Sequence, residues 1–346
     1  MANFWLALLV FSTMLRAIVV QPQEPTVNIT ILHSATAAGA VCLDGSPPAY
    51  HLDMGHGSGL RSWIITIEGG GWCDKISNYY NRSNGRLGSS TKMQLQKPPT
   101  YTFGGILHND PKTNPDFYNW NRVLVRYCDG SSFTGDVEDV DPDTKLYYRG
   151  ARIFKAIMDD LSQKGMRNAE NAILSGTSAG GLSTILNCDK FRSFLPENAR
   201  VKCVANAGFF INAKTISGTS YIQEMYNRVV TLHINSTLVP AYLDPQRAWD
   251  HCKAQISNCT LSQRIIIQAF GVEFLKTFMG LTPCYTRGYF ITSCHTHGRI
   301  MWTSYWFNTI SLTILDKTIA EAVGDWYFDR VGFHQHLDPY PFARDC

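Results

Sequence analysis

Residues 171–184 read NAILSGTSAGGLST. The apolar run Ala172, Ile173 and Leu174 leans towards a buried strand, and Leu182, Ile185 and Leu186 fall at helix-compatible spacing. Between them lies Gly176-Thr177-Ser178-Ala179-Gly180. Gly-x-Ser-x-Gly alone is a weak match; with a strand before it and a helix after it, it reads as a nucleophile elbow. The turn is too tight for a Cβ two residues before or after the serine. It lifts the Ser178 hydroxyl off the end of a sheet and turns the next backbone N–H towards a developing oxyanion. A structural glycine-rich turn is the bland alternative.

Further strands and helices alternate along the chain. Trp63–Ile67 and Val123–Val125 read as buried strands, Val201–Val204 as another, and Ile153, Phe154, Ile157, Met158 and Leu161 share one helical face. Residues 265–278 and 316–330 look helical. This alternation predicts an α/β fold with a mostly parallel sheet flanked by helices. No repeat or low-complexity linker divides the sequence. A chain of 346 residues, 45% hydrophobic, can bury one large core.

A net charge of +3, with no Lys/Arg run, gives no reason to expect nucleic acid or an anionic membrane as partner. It tolerates a polyanionic substrate without demanding one. The N-terminal apolar stretch is interrupted by Arg16 and ends at Gln21-Pro22, which suits a signal peptide over 1–21 better than a membrane span. Residues 22–346 then form a single domain, with no stable membrane insertion and a monomer expected. Ten cysteines point to an oxidising compartment and to disulfides, whose pairing the spacing leaves open. Zinc would want tight Cys-x-x-Cys pairs, and none is present. Asn28, Asn81, Asn235 and Asn258 each begin a glycosylation sequon, in keeping with secretion.

Gly69-Gly70-Gly71-Trp72 follows the strand at 63–67, as an oxyanion loop precedes the elbow in a serine hydrolase. The competing reading is a flexible turn closed by a disulfide of Cys73. A serine nucleophile needs a general base. The histidines after Ser178 are His233, His251, His295, His297, His334 and His336. His334 and His336 lie in a polar, proline-containing tail and are expected on the solvated surface. His295 and His297 flank Thr296 beside Cys294; as a metal site the pair lacks a third ligand nearby.

Gly39–Ser46, Glu68–Cys73, Arg126–Asp136, Arg149–Phe154, Ser175–Leu182, Ile216–Glu224 and Ala322–Arg330 together resemble plant pectin acetylesterases, relatives of the Notum carboxylesterases. The resemblance covers nearly all of the mature chain. It implies an α/β-hydrolase-like fold and a secreted serine esterase of the cell wall that removes acetyl groups from pectin (homogalacturonan) without a cofactor or metal. It carries Ser178 over as nucleophile, His297 as base, and Gly71, Trp72 and Ala179 as oxyanion donors.

The chain departs from that pattern after Val229-Val230-Thr231-Leu232-His233, which runs almost directly into Leu238–Pro245. Several tens of family residues are missing there, with a strand, two cysteines and the acid of the triad. The resemblance therefore leaves room for a sheet one strand short. It also allows an alternative outcome, an impaired or inactive spliced isoform that binds pectin or is unstable. Asp244 is the nearest surviving carboxylate in the right chain order, although it aligns with a non-catalytic family aspartate, and Asp250 is no better. Asn206 and Asn212 stand where the family usually has aspartates. Gly298 replaces a cysteine, which would loosen the His297 loop.

Overall fold

Isoleucine, valine and leucine dominate the strands at the centre of the sheet because both faces of that sheet are covered. The computed structural model describes residues 24–95, 99–214, 218–233, 259–281, 284, 286–307 and 312–346. Seven strands, β1 (Thr26–Ile31), β2 (Ala49–Asp53), β3 (Ser62–Ile67), β4 (Thr100–Thr102), β5 (Asn121–Val125), β6 (Asn171–Thr177) and β7 (Arg200–Asn206), form one sheet in the order β4-β1-β2-β5-β3-β6-β7. Its central part is parallel: β5, β3, β6 and β7 pair in one direction. An antiparallel wing of β2, β1 and β4 extends it beyond the sequence expectation. A separate parallel pair joins β8 (Tyr289–Ile291) and β9 (Gln335–Leu337).

The helices are α1 (Ile76–Ser83), α2 (Ser90–Met93), α3 (Gly150–Gln163), α4 (Ala179–Arg192), α5 (Tyr221–Leu232), α6 (Leu261–Met279), α7 (Thr303–Trp306) and α8 (Ile319–Tyr327). On one sheet face, Ile65, Ile67, Val123, Val125 and Leu174 meet the apolar stripe of α3. On the other, Ile64, Leu124 and Ile173 meet Phe117, Trp120, Trp306 and Tyr327. The period-2 alternation of a strand divides neighbouring residues between two cores. Thr318 and Glu321 close a capping box that starts α8. No helix among the described residues is long and apolar enough to cross a membrane.

Three disulfides join described residues: Cys42–Cys128, Cys188–Cys203 and Cys294–Cys346. The second ties α4 to β7. Cys73 does not close its turn, because it remains a buried free thiol. His336 is also not a solvated tail residue. It is buried in β9 with its ring against Phe290, and desolvation lowers its pKa. Residues 1–21, Asp244, Asp250, His251, Asn235 and Asn258 lie outside the described residues.

Burial lowers the pKa of several histidines, and of His51 and His233 most. His51 in β2 is fully buried; its Nδ1 lies 2.9 Å from the Val27 carbonyl, and Arg126 Nη1 lies 3.1 Å from Nε2. A guanidinium can only donate, so Nε2 accepts and Nδ1–H donates to Val27, the neutral tautomer. Burial pushes its pKa down from 6.5 to about 4. Burial likewise pushes His233, at the end of α5, down to about 3. Both titrate at 6.5 when unfolded, so the stability they lend is complete above that pH and drains as pH falls towards the folded values. Unfolding free energies from denaturant melts should therefore drop between pH 6.5 and 4.5, by roughly 1.4 kcal/mol per pH unit for each of these two histidines. Most carboxylates titrate below that window. A His51→Gln variant should show a shallower slope; equal slopes in both proteins would remove His51 from the account.

Candidate active site

Strand β6 delivers Ser178 to the N-cap of α4, with φ 60° and ψ −123°. A left-handed serine is costly and persists only where its surroundings impose it. The imposed packing is visible at the flanking glycines. A Cβ on Gly176 would stand 2.2 Å from the Gly180 carbonyl oxygen, and one on Gly180 would stand 2.2 Å from the Ile67 carbonyl oxygen. The turn is thus pressed directly onto the end of β3. The Ser178 N–H donates to the Asn206 carbonyl at 2.9 Å. Its hydroxyl has no hydrogen-bond partner among the described residues.

The loop after β3 lies against the same turn, where a Cβ on Gly69 would be 3.0 Å from Ser178 Cβ. Several side chains fix this loop by its carbonyls and leave its N–H groups alone. Arg82 Nη2 donates to the Gly70 carbonyl at 2.7 Å, and the Tyr127 hydroxyl donates to the Gly71 carbonyl at 2.9 Å. The Trp72 indole N–H donates to Ser132 Oγ at 2.7 Å, and Ser132 Oγ donates to the Ala179 carbonyl at 2.8 Å. Among the described residues, the backbone N–H groups of Gly71, Trp72 and Ala179 donate to nothing. Three undonated N–H groups beside an unpartnered hydroxyl are what an oxyanion hole requires. Ser132 and Tyr127, which hold this arrangement, belong to the quoted 126–136 segment, yet nothing in their spacing signals the bridging role.

The loop carrying His297 is fastened at both ends. Cys294 is bonded to Cys346, and the His295 N–H donates to the Arg344 carbonyl at 2.8 Å. At the other end, Asn206 Oδ1 accepts from the Arg299 N–H at 2.8 Å and from Thr177 Oγ1 at 3.3 Å. Asn206 therefore binds the elbow through its backbone and the histidine loop through its side chain. Gly298 has φ 77°, and a Cβ there would fall 2.6 Å from Thr177 Cγ2. The residue noted as a missing cysteine is the one at which the loop touches the elbow. His297 itself is exposed at the surface, and partial desolvation lowers its pKa. No described carboxylate hydrogen-bonds to it. Among the described residues, no third metal-ligating side chain joins His295 and His297.

Beside Trp72 opens a cleft of about 510 Å³ whose lining includes Asn78, Asn81, Arg82, Arg86 and Leu87. Asn81 is exposed on α1 at this rim, and Asn28 is exposed in β1, so both described sequons are reachable from solvent.

Comparison with known proteins agrees with this layout. Pectin acetylesterase 11 of Arabidopsis thaliana is 42% identical over 378 aligned positions, covering 96% of this chain and 95% of the relative. Pectin acetylesterase 7 of the same plant is 42% identical, covering 91% of each chain. The 378 aligned positions exceed the 346 residues here, so the first relative carries residues that have no counterpart in this chain. The solved structure of the Wnt deacylase Notum from Drosophila superposes with a TM-score of 0.74 at 22% identity, over 92% of this chain and 97% of that one, and shares its α/β-hydrolase fold. The pectinacetylesterase family model matches residues 20–237 and 231–346, two stretches that meet where the sequence is short. With an elbow serine, a facing glycine loop and matches along nearly its whole length, this chain belongs to the pectinacetylesterase family of carboxylic ester hydrolases.

Proposed function

We propose that the chain is a secreted serine esterase that removes acetyl groups from pectin in the plant cell wall. The observation that carries this reading is the unpartnered Ser178 hydroxyl, on a strained elbow, beside the undonated N–H groups of Gly71, Trp72 and Ala179. The relatives' names supply the substrate class. The sequons and disulfides support secretion.

In the reaction, His297 takes the Ser178 proton as Oγ attacks the acetyl carbonyl carbon. The three N–H groups hold the resulting oxyanion. The carbon–oxygen bond to the sugar then breaks, His297 returns the proton to the departing sugar oxygen, and an acetyl-serine remains. Water, deprotonated by His297, attacks that ester. Acetate leaves and Ser178 Oγ recovers its proton. With no carboxylate on the imidazole among the described residues, orientation of His297 falls to its loop, held by Asn206 and the Cys294–Cys346 bridge.

Acetate release from acetylated pectin, with Ser178→Ala as control, tests the assignment; equal release from both proteins would overturn it. The pH profile is a second test. A base must be neutral, and desolvation holds His297 below 6.5. The acid limb of kcat/KM on a small acetyl ester should thus fall below pH 6.5, with activity lost as pH drops through it. A limb at or above pH 7 would point to another base.

A further inference from the structure

The cleft beside Trp72 has a charge that the acetyl transfer does not use. Glu68 Oε2 accepts from Arg126 Nε at 2.9 Å and from the Tyr127 N–H at 3.0 Å, while Glu68 Oε1 accepts from Arg86 Nη1 at 2.6 Å. One carboxylate is thereby shared by two guanidiniums, which leaves a net positive charge. Arg126 is buried, whereas the Arg86 side chain is 47% exposed, so the excess charge faces solvent at Arg86. Behind it, Arg82 donates to the Cys73 sulfur and the Gly70 carbonyl, and its Nη1 is buried without a partner. No carboxylate among the described residues forms an ion pair with Arg82. The Cys73 thiol beside it is pushed up by burial and so stays uncharged. Arg82 is half-buried and its charge is partly offset by the buried Asp129 carboxylate, so it adds less to the potential of the cleft than Arg86 does.

Trp72 lines the same cleft, with its indole held by Ser132 and wedged against Phe210 and Tyr226 at 4.9 and 5.3 Å. An anchored aromatic ring beside an exposed guanidinium whose carboxylate partner, Glu68, is shared with Arg126 is the surface that a sugar carrying a carboxylate requires. The ring covers the sugar's apolar face, and the planar fork matches the carboxylate. The cleft is open to solvent along its length, so it can receive a chain that continues beyond it. We propose that Arg86, with the charge of Arg82 behind it, binds the carboxylate of a uronate residue next to the acetylated one. The enzyme would then select free-acid stretches of the polymer over methyl-esterified ones. This rests on the pectin reading above, because it assigns a specificity determinant to that same site.

The test uses the full chain as wild type, Arg86→Gln and Arg86→Lys. Calorimetry with tri-galacturonic acid should show binding by wild type, weakened about tenfold in Arg86→Gln and only partly recovered in Arg86→Lys, which restores the charge but not the fork. With an acetylated oligogalacturonide in free-acid form, Arg86→Gln should raise KM about tenfold and leave kcat near wild type. The methyl-esterified oligomer and phenyl acetate should be hydrolysed equally well by all three proteins. Absence of trimer binding, an unchanged KM on the free-acid substrate, or equal losses on all substrates would overturn the proposal; the last would mean that Arg86 only props Glu68. Trimer binding lost in Arg86→Gln, with no acetate release from either oligomer by wild type, would uphold the carboxylate site and sink the acetylesterase reading instead.

Discussion

Ser178→Ala should lower kcat for acetyl ester hydrolysis by about 10²-fold, because loss of a whole triad costs about 2 × 10⁶-fold and a chain without the triad acid already forgoes about 3 × 10⁴ of that. Residual turnover would come from binding and from the Gly71, Trp72 and Ala179 donors acting on water. The fold should not change. The hydroxyl has no partner among the described residues, and alanine meets the same strain at φ 60° that serine does. Stability should therefore stay within about 0.5 kcal/mol of wild type. The measurement is a progress curve of acetate release at high enzyme concentration, paired with thermal melts of both proteins. Mass spectrometry after rapid acid quench should find one extra acetyl group on wild type and none on the variant. A variant that keeps a tenth of the activity would show that another nucleophile does the chemistry.

Gly180→Ala is the substitution expected to damage the molecule most. In an ordinary helix, replacing glycine by alanine gains about 1 kcal/mol. Here the added methyl would sit 2.2 Å from the Ile67 carbonyl oxygen and 2.7 Å from that of Glu68. Both are backbone atoms, at the end of β3 and the start of the loop after it, so no rotamer change relieves the clash, and either α4 or this corner must move. A loss of about 3 kcal/mol or more follows. Gly271, inside α6, supplies the control, because a Cβ there meets nothing within 4 Å. Gly271→Ala should stabilise by up to about 1 kcal/mol. Opposite signs for the two variants in denaturant melts are the expected result. Two small changes of the same sign would mean that the elbow is not packed as described.

The sequence reveals the parallel centre of this fold because its strands are continuous apolar runs and its helices carry one-sided stripes. Ile64, Ile65 and Ile67, or Ile153, Phe154 and Ile157, leave little choice. The antiparallel wing is hidden: Thr26–Ile31 carries a sequon, and Ala49–Asp53 contains a histidine and an aspartate, so neither stretch has that signature. Its polar members are satisfied by long-range partners such as Val27 and Arg126 around His51, which no local pattern announces. The elbow and its glycine loop are legible because steric need at specific positions leaves glycine as the residue that fits. The residues that steady them are not. Ser132, Tyr127 and Asn206 act through bonds spanning 29 to 93 positions of sequence, and any of them could pass for an ordinary polar residue. Asn206 first stands out as a departure from a family aspartate; its bonds to the Arg299 N–H and Thr177 emerge only in three dimensions.

That asparagine also bears on how the chain can vary. It grips the strand-to-helix corner with its main chain and the 294–300 segment with its amide oxygen, while a sulfur bridge to the last residue secures that segment's far side. Among the described residues, one side-chain clasp therefore joins these two pieces directly, and a change at that single position would reach both the elbow and the histidine loop at once.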